Sequence, residues 1–207
     1  MTPKIAEARI AGDVWVWAAI DANTELIPSW LLGKRDGGCA TEFIQDLANR
    51  LANRVQLTTD GLEVYIIAVV DAFGEDIDYA ILHKVYGAEP TREARYSPAK
   101  CIGCEEIRVL GGPDPRYVST SYIERQNLTM RMSMRRFTRL TNAFSKKIEN
   151  HSAAVALYMM YYKFGRKHLT LGTTPAVKAG LTDHVWSVEE IVGLLEQMEQ
   201  SMAAKSN

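Results

Sequence analysis

The hydrophobic pattern begins at Asp13, after a polar, alanine-rich stretch over residues 1–12 that reads as a linker. Residues 13–22 carry aromatic and β-branched side chains, which suit a pleated surface. Asp21-Ala22-Asn23-Thr24 has turn chemistry, and residues 26–34 return as a second strand, so the pair predicts a hairpin. Pro28 puts the returning strand at an edge or a bulge. Asp36-Gly37-Gly38 breaks the pattern. From residue 40 to 53, Phe43, Ile44, Leu47, Ala48 and Leu51 recur at three- and four-residue steps, predicting an amphipathic helix. Residues 55–59 form a short apolar strand running into Asp60-Gly61, a helix follows to Gly74, and residues 79–85 read as a buried strand. Strand, helix and strand with short links imply a parallel crossover, and so an α/β domain.

The pattern lapses over residues 87–115, which are rich in Pro, Gly and charge and read as an insertion. It contains Cys101-Ile102-Gly103-Cys104. Such a pair is half a zinc site, and Cys39 and His83 are the only loose candidates for the other half, so zinc is not expected and a thiol-bearing turn is. A helix is predicted around Glu124 to about residue 136, then a break, then an apolar packing helix over 148–164. Met130, Met132 and Met134 read as gap-fillers at a helix contact. Ser187-Val188-Glu189-Glu190 is a capping box that opens a last amphipathic helix to about residue 198. The expected organisation is a linker at 1–12, a core over 13–164 and a C-terminal helical tail over 165–207.

Composition narrows the class. A chain of 207 residues with 47% hydrophobic and 24% charged content fits one globular domain with an appended tail. No apolar run reaches the roughly 18 residues of a membrane span. The first residues lack the apolar region of a secretory signal, and an odd count of three cysteines suits a reducing cytoplasm, where the protein is expected.

Charge changes the picture locally. The whole chain is formally −1, yet between Arg116 and Lys147 the charged residues are Arg116, Arg125, Arg131, Arg135, Arg136, Arg139, Lys146, Lys147 and a single acid, Glu124. A lone carboxylate among cations suits a divalent metal working on a phosphodiester, with the cations holding the backbone and the carboxylate the ion. The competing reading is a solvated basic helix with an incidental Glu. Asp60, at the end of a buried strand, is the second candidate acid; its competing reading is a turn or cap residue before Gly61.

Ile123-Glu124-Arg125-Gln126-Asn127-Leu128, with Arg131 after it, resembles the third-acid motif of bacterial insertion-sequence transposases of the DDE class, closest to the insertion-sequence-one type. Residues 144–151 are similar to the continuation of that motif. Leu57-Thr58-Thr59-Asp60-Gly61 with Tyr65 resembles the second-acid motif. Tyr161-Tyr162-Lys163-Phe164 with Arg166, His168, Thr174-Pro175-Ala176 and Gly180 is similar to the tail of integrase-like cores.

The resemblance implies a ribonuclease-H-like mixed sheet with flanking helices, of strand order 3-2-1-4-5. It implies metal-dependent cleavage at transposon ends and strand transfer into target DNA. Asp60 and Glu124 would hold Mg²⁺ or Mn²⁺ in a two-metal site. Arg125, Asn127, Arg131, Arg135, Arg136, Lys146 and Lys147 would contact DNA. A homo-oligomer, or a mixed oligomer with intact transposase, is implied as well. His168 matches the tail motif, with packing as its competing role. The family's first acid lies in an Asp-Glu-x-Trp pattern on a strand before the hairpin. No such pattern occurs here; Asp21 corresponds to a turn residue that is not a ligand in the family, and substitution for the missing acid is its outside alternative. The expectation is therefore an N-terminally truncated core lacking its first strand, marginally stable and inactive alone. Two rival expectations stand: a non-catalytic DNA-binding or regulatory fragment, and a ribonuclease-H-like nuclease acting on RNA–DNA hybrids.

Overall fold

The computed structural model describes residues 14–87, 101–137, 147–194 and 196. The expected linker at 1–12 lies outside them. The predicted hairpin forms from β1 (Trp15–Ala18) and β2 (Trp30–Gly33), antiparallel with Trp17 opposite Leu31. Its pairing continues past the strands through Ala19 N–H to Ser29 O and Asp21 N–H to Leu26 O, so Pro28 lies beyond β2, between the two residues whose carbonyls accept these bonds.

Helix α1 (Gly37–Ala48) starts earlier than its apolar periodicity. Asp36 is its N-cap and accepts from Cys39 N–H at 2.9 Å, so the two glycines expected to break the pattern form the first turn instead. Strand β3 (Val55–Thr59), helix α2 (Val64–Phe73) and strand β4 (Ile77–Tyr86) make the parallel crossover, with Thr59 opposite Ile81.

The expected insertion is corrected by strand β5 (Cys101–Leu110), antiparallel to β4 for nearly its whole length. The thiols therefore lie on a strand, not in a turn. Eight of its ten residues are exposed, so β5 is held by its backbone ladder and not by a buried face. That is why it lacks the alternation of a half-buried strand.

Among the described residues five strands form two sheets, β1-β2 and β3-β4-β5. The fold is mixed α/β, with a three-stranded mixed sheet and flanking helices. A shared core joins the sheets: Trp17 and Leu31 of the hairpin pack with Phe43, Ile44 and Leu47 of α1, Val69 of α2, and Ile77, Tyr79 and Ile81 of β4. Trp17 stacks edge-on against Tyr65 at 5.5 Å. Its indole N–H donates to Lys34 O at 3.1 Å.

The other face of the hairpin, Ile27 and Leu32, packs on Met130 and Met134 of helix α3 (Ser121–Ser133) and its C-cap, and on Val155, Tyr158 and Met159 of helix α4 (Ile148–Met160). Two of the three methionines thus fill the helix contact; Met132 is exposed. A π-helical turn, Tyr161–Gly165, continues α4, and a short helix α5 (Pro175–Lys178) is capped by Thr174. The capping box forms as read: Ser187 N–H donates to Glu190 Oε2 at 2.7 Å, and Glu190 N–H to Ser187 Oγ at 3.2 Å. No helix among the described residues is long and apolar enough to cross a membrane.

Arg54 ties the sheet's entrance together. Its guanidinium bonds both carboxylate oxygens of Asp78, at 2.8 and 3.1 Å, and the carbonyls of Glu75 and Ile77. Gly112 N–H also donates to Asp78 at 2.8 Å. Arg54 first, then Gly112, hold the Asp78 carboxyl down to about 2. A carboxyl depressed by folding stabilises the fold above its unfolded pKa of about 3.9 and loses that contribution as protons bind. Between about pH 4 and pH 2 the wild-type urea midpoint should fall more steeply than that of Asp78→Asn; parallel profiles would show that the cluster adds nothing to stability.

Candidate metal and nucleic-acid site

Strand β3 delivers Asp60 to the C-terminal end of the parallel pair. Its side chain is exposed and Oδ1 accepts from Leu62 N–H at 3.2 Å, which makes Asp60 a turn residue in local geometry. Next to it, Gly61 leaves room for His83: a Cβ there would lie 2.9 Å from the imidazole Cδ2. Thr59 and Tyr79 share a buried hydroxyl hydrogen bond of 2.8 Å just behind. Burial, and then the Asp60 charge, push the Tyr65 phenol up, and the same two causes act on Tyr79. Asp60 thus sits above two neutral phenols, at the mouth of the first core.

Glu124 lies in the first turn of α3, and its carboxylate is engaged. Oε1 accepts from Thr120 Oγ1 at 2.8 Å and from Lys84 Nζ. Lys84 belongs to β4, on the strand face that carries Ala80 and Leu82. Partial burial raises the carboxyl's pKa, but the Lys84 and Thr120 hydrogen bonds and the Lys84 charge outweigh it and leave Glu124 below the ordinary glutamate range. In Lys84→Met the carboxyl should therefore titrate at higher pH than in wild type, read by carboxyl-carbon NMR. An unmoved titration would mean that the ion pair is not held in solution.

Sequence reasoning missed Lys84. It sits 40 residues from Glu124, and its only signal was a cation near the end of a largely apolar strand that also carries Asp78 and His83. Thr120 had a signal: a hydroxyl one helical turn before the acid.

The other face of α3 turns inward. Gln126 is buried and donates to Tyr158 Oη at 3.2 Å, and Met130 sits one turn later. Arg125 and Arg131 are exposed on the outer side, and Asn127 is half-buried. The spacing of Glu124 and Arg131, two turns apart on one continuous helix, puts them on a common stripe. Arg135 and Arg136 are exposed in the short turn Arg135–Phe137, and exposed Lys147 is the N-cap residue of α4. Lys146 lies outside the described residues. The basic residues that are described run along α3 and into the start of α4.

Three further residues fall into structural roles. Asp21 accepts from Thr24 N–H at 2.9 Å and from Thr24 Oγ1 at 2.5 Å, closing the hairpin turn. His168 Nδ1 pairs with Glu25 Oε2 at 2.8 Å, and its ring packs on Tyr162 at 4.5 Å. Arg166 donates to Ser133 Oγ at 3.1 Å.

The register relates the two acids. Asp60 follows Thr59, which is opposite Ile81, and Lys84 lies three residues beyond Ile81. Asp60 and the Lys84–Glu124 pair therefore share one end of the sheet. Asp60 acts on the side of Tyr65 and Tyr79, while Glu124 approaches the opposite strand face. The described residues include no group of three or more His, Cys, Asp or Glu side chains that could hold a metal. Two carboxylates with water completing the shell suit Mg²⁺, which keeps several of its waters. The residue types suit such a shell, but the two acids lie on opposite strand faces and the Lys84 ammonium occupies Glu124 Oε1. No family model, curated protein or solved structure matches the chain.

Proposed function

We propose that the chain is the catalytic-core portion of a DDE-class insertion-sequence transposase, of ribonuclease-H-like fold, binding DNA through its basic helix and divalent metal through Asp60 and Glu124. The observation that carries the reading is the shared sheet end: an acid at the tip of β3 and an acid on α3 tethered to the tip of β4. Two further features support it. Among the described residues the hairpin and the three-stranded sheet share one core, which suits a single mixed α/β domain. Both acids also follow the motifs that carry the resemblance.

In this reading Mg²⁺ or Mn²⁺ supplies activation of the attacking oxygen and stabilisation of the leaving one. Asp60 and Glu124 hold it. Arg125, Arg131, Arg135, Arg136, Lys146 and Lys147 hold phosphates, and Asn127 lies on the same helix. Lys84 neutralises Glu124 when DNA and metal are absent. The 207 residues hold no Asp-Glu-x-Trp pattern, so the reading predicts DNA and metal binding without cleavage.

The test is calorimetric Mn²⁺ binding beside a duplex-end cleavage assay. Wild type should take up Mn²⁺, Asp60→Ala and Glu124→Gln should each weaken uptake about tenfold or more, and duplex ends should stay intact. Robust metal-dependent cleavage would sink the claim of inactivity. DNA binding with no Mn²⁺ uptake that depends on these acids would favour a non-catalytic DNA-binding or regulatory fragment of a transposase, a reading that Glu124's occupied carboxylate already supports. Cutting of RNA–DNA hybrids would favour a ribonuclease-H-like nuclease.

A further inference from the structure

Cys101 and Cys104 are three residues apart, a spacing that puts side chains on opposite faces of a regular strand. Strand β5 is not regular there. Tyr86 is opposite Cys101, Val85 opposite Gly103 and Lys84 opposite Cys104, so Ile102 is an extra residue without a partner. That bulge brings both thiols to the face of β4 that carries Lys84 and Tyr86. Cys101 Sγ donates to the carbonyl of Gly103, the residue before Cys104, at 3.2 Å. Both residues are exposed, whereas Cys39, the third cysteine, is buried in the first turn of α1.

We propose that Cys101 and Cys104 form a dithiol site that exchanges with small-molecule disulfides and closes to an intrachain disulfide across the Ile102 bulge. One thiolate attacks a sulfur of the small disulfide, a protein–sulfur bond forms, and one small thiolate leaves. The second cysteine gives its proton to solvent, attacks the protein-bound sulfur, and expels the second small thiolate. The protein loses two electrons, and the small disulfide is reduced to two thiols.

Reach decides what kind of bond forms. Lys84 and Tyr86, the partners of the two cysteines, are one same-face step apart, which separates Cα atoms by about 6.6–6.8 Å, the outer edge of what a disulfide spans, and the bend of a bulge shortens it. A bond at that edge is strained, hence readily reduced, which marks a reversible site and not a structural staple. The proposal is independent of the transposase reading.

The full-length protein, equilibrated in graded ratios of reduced to oxidised glutathione and acid-quenched, gives the answer by intact mass and peptide mapping. A single product lighter by about 2 Da is expected, linking Cys101 to Cys104 and leaving Cys39 free. Cys101→Ser and Cys104→Ser should each hold one glutathione adduct instead. Moving the second thiol to the other face, by Cys104→Ser with Glu105→Cys, keeps two exposed thiols and should yield adducts without the internal bond. Accumulation of adducts on wild type without the internal disulfide overturns the proposal. So does an internal disulfide that forms equally well in the relocated variant.

Discussion

Gly111→Ala should destabilise the protein by about 3 kcal/mol or more, while Gly112→Ala should change stability by less than about 1 kcal/mol. Gly111 has a φ of +62°, where a side chain adds strain before any contact is made. The contacts are severe as well. A Cβ there would stand 2.6 Å from Ile77 O and 2.7 Å from Arg54 Nη2, and it would overlap the Asp78 carboxylate. Ile77 O is backbone of the central strand and has no room to give. The other two atoms belong to the Arg54–Asp78 pair, which moves only by breaking bonds to the Glu75 and Ile77 carbonyls. A methyl added at Gly112 meets nothing within 4 Å, and the Gly112 N–H to Asp78 survives the change.

The damage should travel, because the loop after Gly112 leads to α3. Gln56 grips Asp114 at both its N–H, at 2.8 Å, and its carbonyl, at 3.0 Å, and so fixes the approach to Glu124. Urea denaturation gives the stabilities. Equal midpoints for the two variants would refute the steric account.

Much of the fold is legible because the first core is local in sequence. The α1 periodicity, the 55–59 strand and the short links to β4 lie within one stretch, and each buried face writes a regular pattern. Where burial does not decide, the sequence falls silent. β5 is held by main-chain bonds that any residue supplies, so its polar side chains resemble a loop. Asp36 shows the opposite failure: two glycines disfavour a helix, yet a capping carboxylate starts one there. The candidate site divides the same way. The exposure of Glu124, Arg125 and Arg131 follows from the helix, whereas Lys84 reaches Glu124 through tertiary packing that no local pattern encodes. The two-sheet arrangement is equally non-local, since it depends on which edges find partners.

DNA binding should be the property most sensitive to salt. If about five or six of Arg125, Arg131, Arg135, Arg136, Lys146 and Lys147 each neutralise a phosphate, the slope of log affinity against log salt is about −5, and raising salt from about 50 to about 200 mM weakens binding about 10³-fold. Glu124 does not spoil this, because Lys84 cancels its charge on the same face. Removing three cations by Arg125→Ala, Arg131→Ala and Lys147→Ala together should cut the slope to about −2.5 and relax the salt dependence accordingly. Asp60→Ala should leave both slope and affinity unchanged, since Asp60 faces Tyr65 and Tyr79 and not the basic helix. Lys84→Met should weaken binding at low salt by releasing an uncompensated carboxylate among the cations. Fluorescence anisotropy with a labelled duplex across a salt series reads all four proteins. A wild-type slope shallower than about −2, or a triple variant with the wild-type slope, would mean that the basic residues are a solvated face and that DNA is not their partner.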